Sequence, residues 1–131
     1  MPNKKNVLIV EDSRAMRGLI RATVERMPGT ATHEAGSGFE ALKALPARRF
    51  DLIITDINMP DINGLELISF VKNHPQYKEI PLIVVSTEKS EEDKNRSLAL
   101  GASGYIVKPF KDSELQDMVK RVLVGQPDAK S

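Results

Sequence analysis

Cysteine is missing from all 131 residues, which excludes a disulfide framework and thiolate metal sites and agrees with a reducing, cytoplasmic setting. Long apolar runs are missing too, so no stretch can span a bilayer. The basic start Met1-Pro2-Asn3-Lys4-Lys5 leads into an apolar run that Glu11-Asp12 cuts off before signal-peptide length. Nor is there an excess of one charge. Nineteen Lys and Arg oppose 18 Asp and Glu, a net charge of +1, which gives no broad attraction to nucleic acid or to an anionic membrane. Partners must therefore be recognised by local patches. A chain of this length with 40% hydrophobic residues suits one domain around one core.

What the chain does have is alternation. Short β-branched runs near 6–10, 31–35, 52–55, 82–86 and 104–107 are separated by longer segments of helical period, the pattern of a doubly wound α/β fold with a five-stranded parallel sheet and five helices. The run Ala31-Thr32-His33-Glu34-Ala35 is polar enough for an edge strand, whereas the first, third and fourth runs read as buried on both faces. Strand order 2-1-3-4-5 follows. Helix starts are marked by Ser37 with Glu40, Asn63 with Glu66 and Ser90 with Asp93, each at capping-box spacing or a close variant. The last helix carries an apolar stripe of Leu115, Met118, Val119, Val122 and Leu123. Residues 125–131 have neither period nor apolar content, so the expected division is a domain over 1–124 and a frayed tail.

Three acids fall where two strands end, Glu11 and Asp12 after Val7-Leu8-Ile9-Val10 and Asp56 after Leu52-Ile53-Ile54-Thr55, while Lys108 closes the run Tyr105-Ile106-Val107. In a parallel sheet these ends share one edge, where open α/β folds bind ligands. That grouping describes a cation and phosphoryl site.

Glu11-Asp12, the block from Asp56 to Gly64 (Asp-Ile-Asn-Met-Pro-Asp-Ile-Asn-Gly), Ser86 at the end of the fourth strand and Gly104-Tyr105-Ile106-Val107-Lys108-Pro109-Phe110 resemble the receiver domain of two-component response regulators. The resemblance covers nearly the whole chain and is nearest to the single-domain, CheY-like chemotaxis regulators. It implies a flavodoxin-like sheet, a cis bond before Pro109, water-mediated metal binding by Glu11 and a switch residue at Tyr105 that moves inward when Ser86 turns to the phosphoryl group. It also implies phosphorylation by a histidine kinase, with a protein target on the face made by the fourth helix, fifth strand and fifth helix. Chemotaxis or motility is the expected setting, with a phosphorelay or phosphate-sink role as the alternative.

The chemistry also follows from the residues. Three carboxylates and one ammonium leave a net charge of −2, which Mg2+ neutralises, and oxygen ligands suit that hard cation. Asp12 and Asp56 are the expected direct ligands, and Asn58, two residues past Asp56, can fold its backbone carbonyl onto the ion. A carboxylate in that position can attack an activated phosphoryl group to give an aspartyl phosphate. Asp56 is the nucleophile on this reading. Phosphoryl transfer needs mainly positioning and charge stabilisation, so Lys108 and magnesium hold phosphoryl oxygens while the Ser86 hydroxyl donates one hydrogen bond. Conventional enzyme turnover is not expected.

Blander readings compete. Asp12-Ser13 can simply start the first helix, and His33 and His74 lie outside the acidic cluster and read as surface residues. Gly36-Ser37-Gly38-Phe39-Glu40-Ala41 matches a dinucleotide pattern, with Asp56 lying 20 residues after Gly36, so a nucleotide-binding module is the rival from another class. That pattern belongs after a buried first strand, however, and here the strand is polar. A small-substrate phosphatase lacks a second acid after Asp56 and has no room for a cap domain. Two features depart from the family. Thr87 stands where Ala or Gly is usual and can crowd the phosphoryl entrance, and residues 88–97 are almost all polar, giving the fourth helix little apolar grip. Asn58, Thr87 and Glu88 are the expected rate-tuning positions, with Asn58 and Glu88 flanking the path of hydrolytic water.

Overall fold

The computed structural model describes residues 4–87 and 90–124. Five strands, β1 (Lys5–Val10), β2 (Thr30–Ala35), β3 (Leu52–Thr55), β4 (Leu82–Ser86) and β5 (Gly104–Val107), alternate with five helices, α1 (Arg14–Glu25), α2 (Gly38–Ala44), α3 (Gly64–Asn73), α4 (Glu91–Leu100) and α5 (Asp112–Val124). A short 3-10 turn, Leu45–Ala47, follows α2. All neighbouring strands pair in parallel, in the order β2-β1-β3-β4-β5. The first two strands start one residue before the expected positions because Lys5 pairs with Thr30. The expected tail, 125–131, and Glu88 lie outside the described residues.

Side-chain alternation along the strands divides the core in two. Val7, Ile9, Leu52, Ile54, Ile83 and Val85 pack against Ile20 and Val24 of α1 and Leu115 and Val119 of α5. Leu8, Val10, Ile53, Leu82 and Val84 face the other way, onto Ala41 of α2 and Leu67, Ile68 and Val71 of α3. Because both faces are covered, β1, β3 and β4 have continuous apolar interiors, as the sequence pattern requires. β2 is half-buried at the sheet edge.

The helix starts expected at Ser37, Asn63 and Ser90 are capped as read, and Ser13 caps α1. The Ser13, Ser37, Asn63 and Ser90 side chains accept from the amides of Met16, Glu40, Glu66 and Asp93. A full capping box forms at Asn63, where Glu66 accepts from the Asn63 amide at 3.1 Å. Glu40 instead accepts from Gly36 at 2.7 Å. α4 is the least anchored helix. Each fully buried Leu, Ile or Val side chain contributes roughly 1.5–3 kcal/mol, and α4 buries only Ser97, leaving Leu98 and Leu100 39% and 37% exposed.

Candidate functional site

Register carries the acids to one edge. Val10 pairs with Thr55, so the residues that follow, Glu11 and Asp56, emerge side by side; Asp56 donates its amide to the Val10 carbonyl at 3.1 Å, and Glu11 donates to Ala35 at 3.0 Å. On the far side Ser86 pairs with Val107, which places Lys108 at the same edge, with its amide on the Ser86 carbonyl at 2.8 Å. The Lys108–Pro109 bond is cis, as the resemblance implies.

Lys108 bridges the two buried acids. Its Nζ lies 2.8 Å from Glu11 Oε1 and 3.2 Å from Asp56 Oδ2. The other oxygens are held by backbone: Ser13 donates to Glu11 Oε2 at 3.0 Å, and Ile57 donates to Asp56 Oδ1 at 2.7 Å. Burial lifts Glu11 above its usual range, although Lys108 and the Ser13 amide oppose the rise. Burial likewise depresses Lys108, but the Glu11 and Asp56 carboxylates more than reverse it and the net shift is upward. The ammonium is thus fixed as a charged group. Asp12 is exposed, and ligand oxygens of Glu11, Asp12 and Asp56 all come within 4.8 Å of one another. An all-oxygen set of this charge fits a small, hard divalent cation, which Glu11, Asp12 and Asp56 together could hold.

Four of the remaining predicted residues, Asn58, Ser86, Thr87 and Tyr105, are among the described residues. Ser86 is fully buried at the end of β4, Thr87 and Asn58 are exposed, and Tyr105 is half-buried against the core on the α2–α3 side. Asp12 is not the helix cap, since Ser13 fills that role. The histidines differ from the surface reading. His33 is half-buried, 3.1 Å from Asn6 Oδ1 and edge-on to Phe50, and His74 is half-buried and stacked on Tyr77. Neither joins the acidic cluster.

The glycine-rich turn has an internal anion. Asp61 accepts from the amides of Gly38 and Phe39 at 3.1 and 2.8 Å, so its carboxylate occupies the position a phosphate takes in a nucleotide fold. Backbone amides, that of Phe39 foremost and then those of Ile62 and Gly38, outweigh desolvation and lower its pKa to about 2. Asp61, Gly64 and Arg17 are the supporting residues that pattern reading assigned no role. Gly64 stands in the block already quoted, but the contact that requires it appears only in three dimensions: a Cβ there would lie 2.1 Å from the Asp56 carbonyl oxygen. A cavity of about 500 Å³, lined by Met27, Thr30 and Leu123 among others, opens at the opposite edge of the sheet and contains none of the site residues.

Residues 7–120 match the family model for the response regulator receiver domain. Chemotaxis protein CheY1 of Helicobacter pylori is 38% identical over 118 residues, covering 89% of this chain and 95% of its own. A CheY homolog of Campylobacter jejuni is 37% identical over 118 residues, covering 89% and 91%. Among solved structures, the chemotaxis response regulator CheY4 of Vibrio cholerae superposes with a TM-score of 0.85 at 38% identity, covering 92% of this chain and 100% of that one.

Proposed function

The chain belongs to the response regulator receiver domain family, a CheY-like signalling module of two-component systems rather than a conventional enzyme, and on that premise we propose that Asp56 accepts a phosphoryl group from a histidine kinase and thereby changes affinity for a protein target. The observation that carries the assignment is Lys108, whose ammonium touches both buried acids at 2.8 and 3.2 Å. An Asp56 oxygen forms the new P–O bond as the donor's P–N bond breaks, and the departing imidazole nitrogen takes up a proton from solvent. Lys108 is already aimed at the carboxylate, so it meets the incoming phosphoryl oxygens without reorganisation. Asp12, Asp56 and the Asn58 carbonyl, with Glu11 acting through water, would hold magnesium, which would supply positive charge to offset that of the phosphoryl group. Ser86 supplies a hydroxyl, Tyr105 responds to its movement, and the α4–β5–α5 face meets the target. The chemotaxis names of its relatives support a role in motility.

Labelling tests the proposal. Acetyl phosphate with magnesium should modify Asp56, and Asp56→Asn should abolish the label because an amide is a poor nucleophile. Asp12→Ala should keep the fold and lose magnesium-dependent labelling. A label mapped to any other residue sinks the assignment.

A further inference from the structure

The loop bearing Glu11 and Asp12 is held from two sides. From within, Lys108 and the Ser13 amide hold the Glu11 carboxylate. From outside, Arg17 reaches back from α1 and donates Nη1 to the Glu11 backbone carbonyl at 2.8 Å. Its Nε donates to Glu34 Oε1 at 2.8 Å, and Arg21, one turn further along, takes Glu34 Oε2 at 3.2 Å. With Glu34 clamped on both oxygens, the Arg17 guanidinium has a fixed seat, and its side chain is only 17% exposed. Gly36 leaves the room it needs: a Cβ there would come within 3.2 Å of Arg17 Nη1.

That carbonyl belongs to the peptide unit whose other end is the Asp12 amide. Turning the peptide plane redirects the Asp12 side chain, which is exposed and has no side-chain partner among the described residues. Its aim therefore depends on the backbone. We propose that Arg17 is a positioning residue that fixes the Glu11–Asp12 peptide and so sets the magnesium affinity of the carboxylate site. The inference rests on the phosphoryl reading above. It assigns to a bond on the backbone the part that outer hydrogen bonds play for ligating side chains. The rival reading is a partly exposed ion pair of small energetic value, and the two differ in what they predict for the metal.

The test is magnesium titration of the unphosphorylated full chain, followed by the NMR shifts of the Asp12 and Ser13 amides, for the parent, Arg17→Met and Arg17→Lys. Arg17→Met keeps the aliphatic stem and loses both donors, so affinity should fall about tenfold, the lower end for lost outer-shell support. Acetyl phosphate labelling at saturating magnesium should stay within about twofold of the parent, the signature of weakened binding with intact chemistry. Arg17→Lys keeps one donor and should restore part of the affinity. Equal affinity in Arg17→Met and a parent that binds magnesium overturns this inference alone. An affinity loss matched by loss of labelling at saturation and a lower melting midpoint makes Arg17 merely structural, and overturns it too. A parent that binds no magnesium overturns the phosphoryl reading and this inference together.

Discussion

A Cβ at Gly64 would lie 2.1 Å from the Asp56 carbonyl oxygen and 2.8 Å from the Ile57 Cα, so the missing side chain lets the start of α3 close on the backbone that presents the nucleophile. The Gly64 amide uses that proximity, donating to the Ile57 carbonyl at 2.7 Å. Gly64→Ala must push two backbone segments apart, and overpacking of this kind costs about 1–3 kcal/mol. Thermal unfolding should show the loss, and Asp56 labelling should fall with it because the displaced atoms belong to Asp56 itself; a variant with parental stability and labelling would mean the loop yields freely. Thr87 makes a milder residue-scale case. It is exposed beside the buried Ser86, so its methyl group can shield the phosphoryl entrance without supporting the fold. Thr87→Ala should leave stability near the parent's while speeding both labelling and hydrolysis of the aspartyl phosphate. Equal rates would place the methyl away from the entrance.

Among the elements, β2 shows how a polar edge strand can still be tied to the core. His33 meets Asn6 Oδ1 and the Phe50 ring, and the Asn6 amide in turn donates to Asp51 Oδ2 at 2.8 Å. Burial lowers the His33 pKa, with the Arg48 charge adding to the shift. A depressed pKa means that folding favours the neutral ring. The stability it contributes is present above the unfolded imidazole value of about 6.5 and is lost as pH falls through the lower folded value. Unfolding midpoints measured across this window should therefore decline in the parent and decline less in His33→Gln; parallel profiles would assign the decline to other groups. The strand's polarity was legible in the sequence as an edge signal, but the histidine's neighbours were not, because Asn6 and Phe50 meet it through tertiary packing of distant segments and not by local spacing. Asp61 was hidden for the same reason. Its partners Gly38 and Phe39 are 23 and 22 residues away, a separation that no capping pattern records.

At the scale of the whole molecule, strand order, the two-faced core and the meeting of Glu11, Asp12, Asp56 and Lys108 were all legible, because a parallel sheet sends every strand's carboxyl end to one edge and the acids follow directly on apolar runs. Arg17 was not, since an arginine early in a helix carries no periodic signal and its bond to the Glu11 backbone depends on how α1 leaves the sheet. The uneven anchoring of the helices bears on output. α3 buries Leu67, Ile68 and Val71, whereas α4 buries only Ser97, so α4 should be a low-stability element whose amides exchange sooner. Tyr105 pairs with Val84, two residues before Ser86, and is half-buried against the core on the α2–α3 side of the sheet. If Ser86 turns toward the phosphoryl group and the ring moves into the space it leaves, α4 gains a docking surface that it lacks at rest. A ligand can shift that equilibrium only by differential affinity for the two states. Magnesium with a phosphoryl mimic should accordingly slow hydrogen exchange at residues 91–97, with little change in α3. Tyr105→Ala should keep Asp56 labelling and lose most of that protection. Exchange indifferent to the mimic, or labelling abolished by Tyr105→Ala, would break the proposed coupling and send the output through another face.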